Sequence, residues 1–172
     1  MCFGALTIGP MQANLSLEDG AKVIAKALDM GVNFIDTAKM YRTYPYIKRA
    51  VEMTGRSDII VSAKSYDYTY EGMKDSIEEA LRETGLKQLG IFSLHEQEDI
   101  YTLRGHADAI RCMADAKKAG LIRAVGVSTH NISCVNSVAL MPEIDVILSI
   151  ANYSGVGIGD GDIGQMLAAI KR

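Results

Sequence analysis

Residues 33–41 read NFIDTAKMY, a short apolar run followed by a charged residue and a polar segment. The β-forming residues of 32–36 predict a strand that ends at Asp36. Tyr41 follows in the loop that leaves this strand. Polar side chains at the carboxyl ends of buried strands are typical of α/β active sites. This stretch therefore predicts a strand together with two candidate site residues.

Two later strands end in the same way. Residues 59–64 form a β-rich run that ends at Lys64, and residues 89–95 form an apolar run that ends at His95. Another such run, residues 123–128, ends at Ser128. These ends follow one another at about the 30-residue spacing of a strand–helix–strand unit. The chain therefore predicts a series of such units with polar groups at one rim.

Amphipathic stretches fill the intervals between the strands. Ser16 with Asp19 predicts the start of the first helix, and Gly31 predicts its end. The remaining predicted elements are a first strand at 2–6, helices at 46–53 and 71–83, one long helix ending near Gly120, one more helix before a sixth strand at 144–150, and a last helix from Ile163. No hairpin turn separates the strands, which favours parallel strands with helical crossovers. This alternation fits a doubly wound open sheet as well as a barrel.

Composition and charge restrict the functions that the chain can have. Its 172 residues are 48% hydrophobic and 23% charged, which is typical of one globular domain. A net charge of −3 without a basic run gives no reason to expect a nucleic-acid partner. No apolar run reaches the roughly 18 residues of a membrane span, so no membrane partner is expected. Three widely separated cysteines suggest no metal site and favour a reducing, cytoplasmic setting.

Four of the rim residues together suggest proton transfer to a developing alkoxide. A free tyrosine such as Tyr41 has a pKa of about 10, too high for an effective acid near neutrality. A lysine ammonium beside it would favour the phenolate, and Asp36 would hold Lys64 in its charged form. The His95 imidazole could donate a hydrogen bond to the substrate oxygen as charge builds there. The sequence therefore predicts a tuned acid with a supporting shell.

The segments that carry these residues resemble those of the aldo-keto reductases. Residues 33–41 look like the family's NFxDTAxxY segment, VSAK at 61–64 matches its lysine strand, and SLH at 93–95 matches its histidine strand. GLIRAVGVS at 120–128 resembles its GxIRxIGVS signature. Other segments look closer to a microbial branch whose members often carry an iron–sulfur tail, although cluster ligands are not found in this sequence. The match runs in order over nearly the whole chain.

The resemblance implies an α/β fold, a (β/α)8 TIM barrel of which about six units are present in one partial domain over residues 1–172. It implies reduction of a small aldehyde or ketone with NADP(H) or NAD(H). On this interpretation Tyr41 is the general acid, Lys64 lowers its pKa, Asp36 pairs with Lys64, and His95 orients the carbonyl. The cofactor supplies the hydride.

Two further residues are implied as cofactor contacts, and here the sequence departs from the family pattern. Ser128 matches a position that holds the nicotinamide carboxamide, and Asn152 is a candidate polar contact at the rim of strand six. Thr129 and His130 follow Ser128 where many relatives have asparagine. A glutamine often found on strand six is replaced near Leu148.

The chain has too few residues for a closed barrel, which needs roughly 250. The phosphate site of many such barrels lies in the loops after strands seven and eight. Strands one and six would also be open edges with unpaired backbone groups. We therefore expect this chain to be a fragment or truncated product with weak cofactor binding and impaired activity.

Three competing interpretations follow from the same residues. Residues 159–164 match GxGxxG, but two aspartates would face a pyrophosphate, and Asp162 with Gln165 is better explained as a helix cap. A metal-dependent TIM-barrel hydrolase or lyase would use His95, Glu96, Glu98 and Asp36. A barrel kept as a non-catalytic binding or regulatory module is the third. Metal analysis distinguishes the second, and replacing Tyr41 by Phe distinguishes the third.

Overall fold

The computed structural model describes residues 1–171, in which six parallel strands alternate with helices. The strands are β1 (Cys2–Gly4), β2 (Phe34–Asp36), β3 (Ile60–Ser65), β4 (Leu89–Leu94), β5 (Ile122–Thr129) and β6 (Val146–Ser149). The helices are α1 (Leu17–Asp29), α2 (Tyr44–Thr54), α3 (Tyr70–Thr84), α4 (Ile100–Gly105), α5 (Ala107–Lys118), α6 (Ile132–Val138) and α7 (Ile163–Ile170). Short 3-10 helices occupy Ala5–Ile8 and Lys39–Tyr41.

The strand order decides between the two folds that the alternation allows. Each strand pairs in parallel with the next one along the chain, in the order β1-β2-β3-β4-β5-β6. A doubly wound sheet reverses its strand order at a switch point, whereas a barrel does not. The prediction of an incomplete (β/α)8 barrel with six units is therefore confirmed. β1 and β6 are the edges of the described sheet.

The helices bury their apolar sides against the outer face of the sheet. Ile35 of β2, Val61 of β3 and Phe92 of β4 point outward and are fully buried beneath them. Because side chains alternate along a strand, Asp36 and Lys64 point to the opposite, inner face. The packing of the core thus fixes the side on which the polar residues lie.

Helix ends agree with several of the sequence signals. The Ser16 side chain accepts a hydrogen bond from the Asp19 backbone N–H at the start of α1. Gly31 follows that helix with a φ of +92°, and Gly85 ends α3 with a φ of +73°. Both values lie in the left-handed region that favours glycine.

Several predicted elements are wrong in their extent, among them the sixth strand, which covers only Val146–Ser149. The first strand ends at Gly4, because Ala5–Ile8 turns into a 3-10 helix. The single long helix before Gly120 is divided into α4 and α5 at His106, whose backbone is not helical (φ −102°, ψ 15°). The His106 ring bonds the Thr102 carbonyl through Nδ1 at 2.8 Å, which stabilises this break.

The GxGxxG segment is made of helix caps. Asp162 accepts a hydrogen bond from the Gln165 N–H, and the Gln165 side chain bonds the Asp162 N–H, each at 2.9 Å. Asp160 accepts hydrogen bonds from Ile132 and Ser133, the first two residues of α6, at 2.7 and 3.1 Å. The interpretation of Asp162 as a cap is confirmed, and both aspartate side chains already accept hydrogen bonds from backbone N–H groups.

Among residues 1–171, the structure contains no helix that is both long and apolar enough to cross a bilayer.

Candidate active site

The carboxyl ends of β2 to β6 surround a pocket of about 210 Å³. Asp36, Tyr41, Lys64 and His95 all line it, as does Ser128. Its remaining walls are Glu96, the two residues after Ser128, and the end of β6 with Ile150. The structure thus brings the four predicted catalytic residues together at one rim.

Lys64 and Asp36 form a short ion pair at the floor of this pocket. The Lys64 Nζ lies 2.6 and 2.7 Å from the two Asp36 carboxylate oxygens and 2.8 Å from the Thr37 carbonyl oxygen. Lys64 is only 2% exposed. An ammonium has three hydrogen-bond donors, so each has an acceptor. A buried charge that is paired and fully hydrogen-bonded in this way is compatible with a folded interior.

Tyr41 lies across the pocket with its hydroxyl directed at His95. The 3-10 helix Lys39–Tyr41 presents it, and Arg42 ends that helix in a left-handed conformation with a φ of +56°. The Tyr41 hydroxyl oxygen is 3.4 Å from the His95 Nε2. This separation is long for a hydrogen bond, as is common before a substrate oxygen tightens a catalytic site.

The electrostatic influence of Lys64 on Tyr41 differs from the prediction. Lys64 approaches the Tyr41 ring, with Nζ 5.4 Å from the ring centroid, while its protons are directed to Asp36 and Thr37. Burial, together with the negative charges of Asp36 and Glu96, raises the pKa of Tyr41 to about 12. The expected lowering of the Tyr41 pKa is therefore wrong for this structure, because burial and the charges of Asp36 and Glu96 outweigh the positive charge of Lys64.

His95 is a buried, neutral imidazole. Its backbone N–H donates to the Ser65 carbonyl at 3.0 Å, and the residue is 3% exposed. Burial, with a smaller effect of the positive charge of Lys64, lowers the pKa of His95 to about 4. Within residues 1–171 the buried Nδ1 has no hydrogen-bond partner. Because an unpaired buried N–H is rarer than an unpaired acceptor, we assign the proton to Nε2, which faces Tyr41.

The two predicted cofactor contacts have different placements. The Ser128 hydroxyl lines the pocket and accepts a hydrogen bond from the Glu96 N–H at 2.9 Å, which leaves its own proton available. Asn152 is exposed and lies in the loop after β6, outside this pocket. Its amide bonds the Val156 carbonyl at 2.8 Å and accepts a hydrogen bond from Ser154 at 2.7 Å. Ser149 lies at the β6 rim of the pocket instead.

Two residues at the site were not singled out for this role from the sequence. Tyr66 stacks on the His95 ring, with centroids 4.4 Å apart and planes at 22°. The Tyr66 hydroxyl donates to the Glu96 carboxylate. Tyr66 follows Lys64 by one strand period, which was an available signal. Glu96 has a left-handed backbone with a φ of +48°, which no sequence pattern indicates.

The metal-dependent alternative finds little support in this geometry. Among residues 1–171 no group of three or more His, Cys, Asp and Glu side chains is arranged to hold a metal ion. Two of the proposed metal ligands already have other partners, because Asp36 is paired with Lys64 and the Glu96 carboxylate accepts a hydrogen bond from Tyr66.

Comparison with known proteins adds the family context. Residues 1–166 match the sequence model described as the aldo/keto reductase family. The chain is 26% identical over 184 residues to an Arabidopsis thaliana L-galactose dehydrogenase, with 98% of this chain and 56% of that protein covered. It is 30% identical over 119 residues to 2,5-diketo-D-gluconic acid reductase B of a Corynebacterium strain, with 67% of this chain and 42% of that protein covered. The chain thus spans about half the length of these curated relatives.

Solved structures show the same fold. An aldo-keto reductase from Bombyx mori, solved in complex with NADP, superposes with a TM-score of 0.71 at 19% identity. That superposition covers 87% of this chain and 52% of the silkworm protein. A second, from Pseudomonas aeruginosa and described as a putative aldo-keto reductase, gives a TM-score of 0.78 at 18% identity, with 97% and 66% covered.

Proposed function

Because the chain belongs to the aldo/keto reductase family, we propose that its pocket reduces an aldehyde or ketone to an alcohol with a nicotinamide cofactor. The observation that carries this proposal is the convergence of the Tyr41 hydroxyl and the His95 Nε2 on one point of the pocket, 3.4 Å apart. A carbonyl oxygen placed there would meet a proton donor and a second hydrogen-bond donor at once.

The residues of the pocket fit the nicotinamide end of such a cofactor. The Ser128 hydroxyl has a free proton that can bond a carboxamide oxygen. The volume of about 210 Å³ is smaller than most small-molecule sites, which run from about 300 Å³ upward. The pocket is therefore suited to a nicotinamide ring and a small carbonyl, with the rest of a dinucleotide outside it.

The cofactor would supply a hydride to the carbonyl carbon. Residues of this chain then stabilise and protonate the oxygen on which negative charge forms. Tyr41, protonated at neutral pH, donates its proton to that oxygen. His95, as the Nε2–H tautomer, donates a hydrogen bond to the same oxygen and orients it. Lys64 stabilises the Tyr41 phenolate left behind, because its positive charge lies next to the ring. Asp36 keeps Lys64 in place.

A pKa of about 12 suits Tyr41 to this reaction direction. The phenol is fully protonated near neutrality, as a proton donor must be. An alkoxide is a much stronger base than a phenolate, so proton transfer from Tyr41 to the alkoxide remains favourable. Lys64 is proposed to stabilise the phenolate as it forms, which limits the rise in the Tyr41 pKa that burial and the two carboxylates cause.

The proposal extends to the cofactor, the substrate class and the location of the protein. We propose NADP(H), with NAD(H) as the alternative, and a small carbonyl compound as substrate. All three cysteines are free thiols, which supports a reducing cytoplasm as the location.

Steady-state kinetics of the 172-residue chain test this function. With NADPH in excess and a panel of small aldehydes, Tyr41→Phe should lower kcat about 10²–10⁴-fold, the usual contribution of a positioned general acid. Tyr68→Phe, which removes a hydroxyl from an exposed tyrosine outside the pocket, should leave the rate unchanged. Equal rates for Tyr41→Phe and the unmodified chain would exclude the proposed acid and favour a binding module.

A further inference from the structure

The His95 ring is held by aromatic contacts and not by a hydrogen bond at its inner nitrogen. The Nδ1 atom is buried without a partner among residues 1–171. The ring face stacks on Tyr66, and its edge meets Tyr41 at a centroid distance of 5.6 Å and an angle of 77°. In many sites a hydrogen bond to the far nitrogen fixes the tautomer and orientation of a histidine. His95 must obtain its orientation by other means.

Tyr66 is itself fixed at the far end of its side chain. Its hydroxyl donates to the carboxylate of Glu96, the residue that follows His95. Glu96 has the strained left-handed backbone with a φ of +48°, and its N–H is anchored on the Ser128 hydroxyl at 2.9 Å. Such a conformation is unfavourable for a non-glycine residue, and it persists only where surrounding contacts determine it. The anchored Glu96 therefore sets where the Tyr66 ring lies.

We propose that Tyr66, held by Glu96, is a positioning residue that keeps the His95 ring in the plane from which Nε2 reaches the substrate oxygen. The inference rests on the proposed function for its catalytic meaning, although the contacts themselves do not depend on it. Tyr66 is 44% exposed, so one ring face covers His95 while part of the side chain meets solvent. Its removal would open the His95 ring to water and to alternative orientations.

Several charged groups around His95 affect the pKa of its ring. Lys64 of β3 disfavours the imidazolium, as does His130 after β5, whereas Glu96 favours it. Tyr41 and Tyr66 face it as neutral phenols, since burial raises the pKa of each. Loss of the Tyr66 ring reduces the burial of His95, which is the largest cause of its lowered pKa, and leaves these charges in place.

Nuclear magnetic resonance of the three histidine rings in the 172-residue chain tests the proposal without requiring turnover. His106→Gln and His130→Gln assign the signals. Tyr66→Leu should raise the His95 pKa from about 4 toward 6.5 and populate both tautomers, because the ring becomes solvated. Tyr68→Leu is the matched control, since Tyr68 packs edge-on against His106 and should perturb that ring alone.

Two conservative variants separate burial from positioning. Tyr66→Phe keeps the stack but loses the bond to Glu96, so the His95 signals should broaden by exchange between ring orientations. Glu96→Gln keeps an acceptor for Tyr66, so those signals should stay sharp. A folded Tyr66→Leu chain with unchanged His95 tautomer and pKa would overturn the proposal. If Tyr66→Leu unfolds, equally sharp signals in Tyr66→Phe and Glu96→Gln would overturn it.

The same variants keep this inference distinct from the proposed function. If the chain reduces carbonyls, Tyr66→Leu should lower kcat about tenfold or more with little change in KM, because a misdirected His95 affects the transition state more than binding. A chain without turnover that still shows the expected His95 response would support the positioning role and refute only the proposed reaction.

Discussion

The Lys64 ammonium has three protons, and each points at an oxygen of the second strand or the residue after it. This arrangement makes Asp36 and Lys64 one unit with little net charge. Burial consequently affects the pKa of Tyr41 more than the charge of the lysine does, and this pKa rises. The sequence indicated which residues meet at the rim, but the sign of this effect depends on distances that no motif contains.

The low pKa of His95 predicts a pH-dependent loss of stability. Its ordinary value of 6.5 falls to about 4 in the folded chain, so the folded state resists protonation that the unfolded state accepts. The contribution is complete above pH 6.5 and is lost as pH falls from 6.5 to 4. At about 1.4 kcal/mol per pKa unit, it amounts to about 3 kcal/mol.

Urea unfolding at a series of pH values checks this prediction. The His95→Gln chain should lose less stability between pH 6.5 and 4 than the unmodified chain. Parallel curves for His95→Gln and the unmodified chain would show that His95 titrates normally.

Tyr66 and Glu96 show where residue-level prediction reached its limit. The four motif residues could be found because each follows an apolar strand in a recognisable segment. Glu96 meets Tyr66 only because its backbone turns into the left-handed region after β4. An exposed glutamate next to a histidine carries no such signal in the sequence.

At the scale of elements, local capping chemistry made several boundaries predictable. Ser16, Gly31 and Gly85 mark helix ends because each satisfies backbone groups or adopts a left-handed φ. The break between α4 and α5 could not be predicted in the same way. The break depends on a hydrogen bond from the His106 ring to the Thr102 carbonyl of α4. The sequence pattern of a continuous helix gives no sign of this contact.

The two aspartates of residues 159–164 should contribute stability as caps. Asp162→Ala removes the capping box of α7, and Asp160→Ala removes the carboxylate that accepts from two N–H groups of α6. Each should lower the free energy of unfolding by about 1 kcal/mol, within the 0.5–2 kcal/mol range of helix caps. Denaturant unfolding measures it.

Asp75→Ala is the matched control for these caps. Asp75 is an exposed residue within α3, so its replacement should leave stability unchanged or slightly raised. Normal stability in both cap variants, with a change in dinucleotide binding instead, would revive the discarded nucleotide interpretation of this segment.

At the scale of the whole molecule, alternation alone could not separate a barrel from an open sheet. Both folds use the same strand–helix rhythm, and only the pairing order distinguishes them. The family motifs supplied that information before the structure did. The described sheet covers six units and leaves β1 and β6 as edges, in agreement with the strand count predicted from the sequence.

We predict weak dinucleotide binding by the 172-residue chain itself, because its pocket has room for only the nicotinamide end of the cofactor. The one lysine or arginine among its lining residues in the described part of the chain is Lys64, whose donors are already used. Phosphate groups bind most strongly to free cationic side chains and backbone N–H groups. Titration with NADPH, followed by its fluorescence, should give a dissociation constant well above the micromolar range, and micromolar affinity would contradict this.

The central claim is that Tyr41 and its three partners reduce a carbonyl group with a hydride from a nicotinamide. The most direct test incubates the 172-residue chain with a small aldehyde and excess NADPH deuterated at the transferable position, followed by mass spectrometry of the alcohol. We predict one deuterium on the former carbonyl carbon with the unmodified chain, and a strongly reduced yield with Tyr41→Phe. Alcohol without deuterium, or equal labelled yields from both chains, would contradict the account.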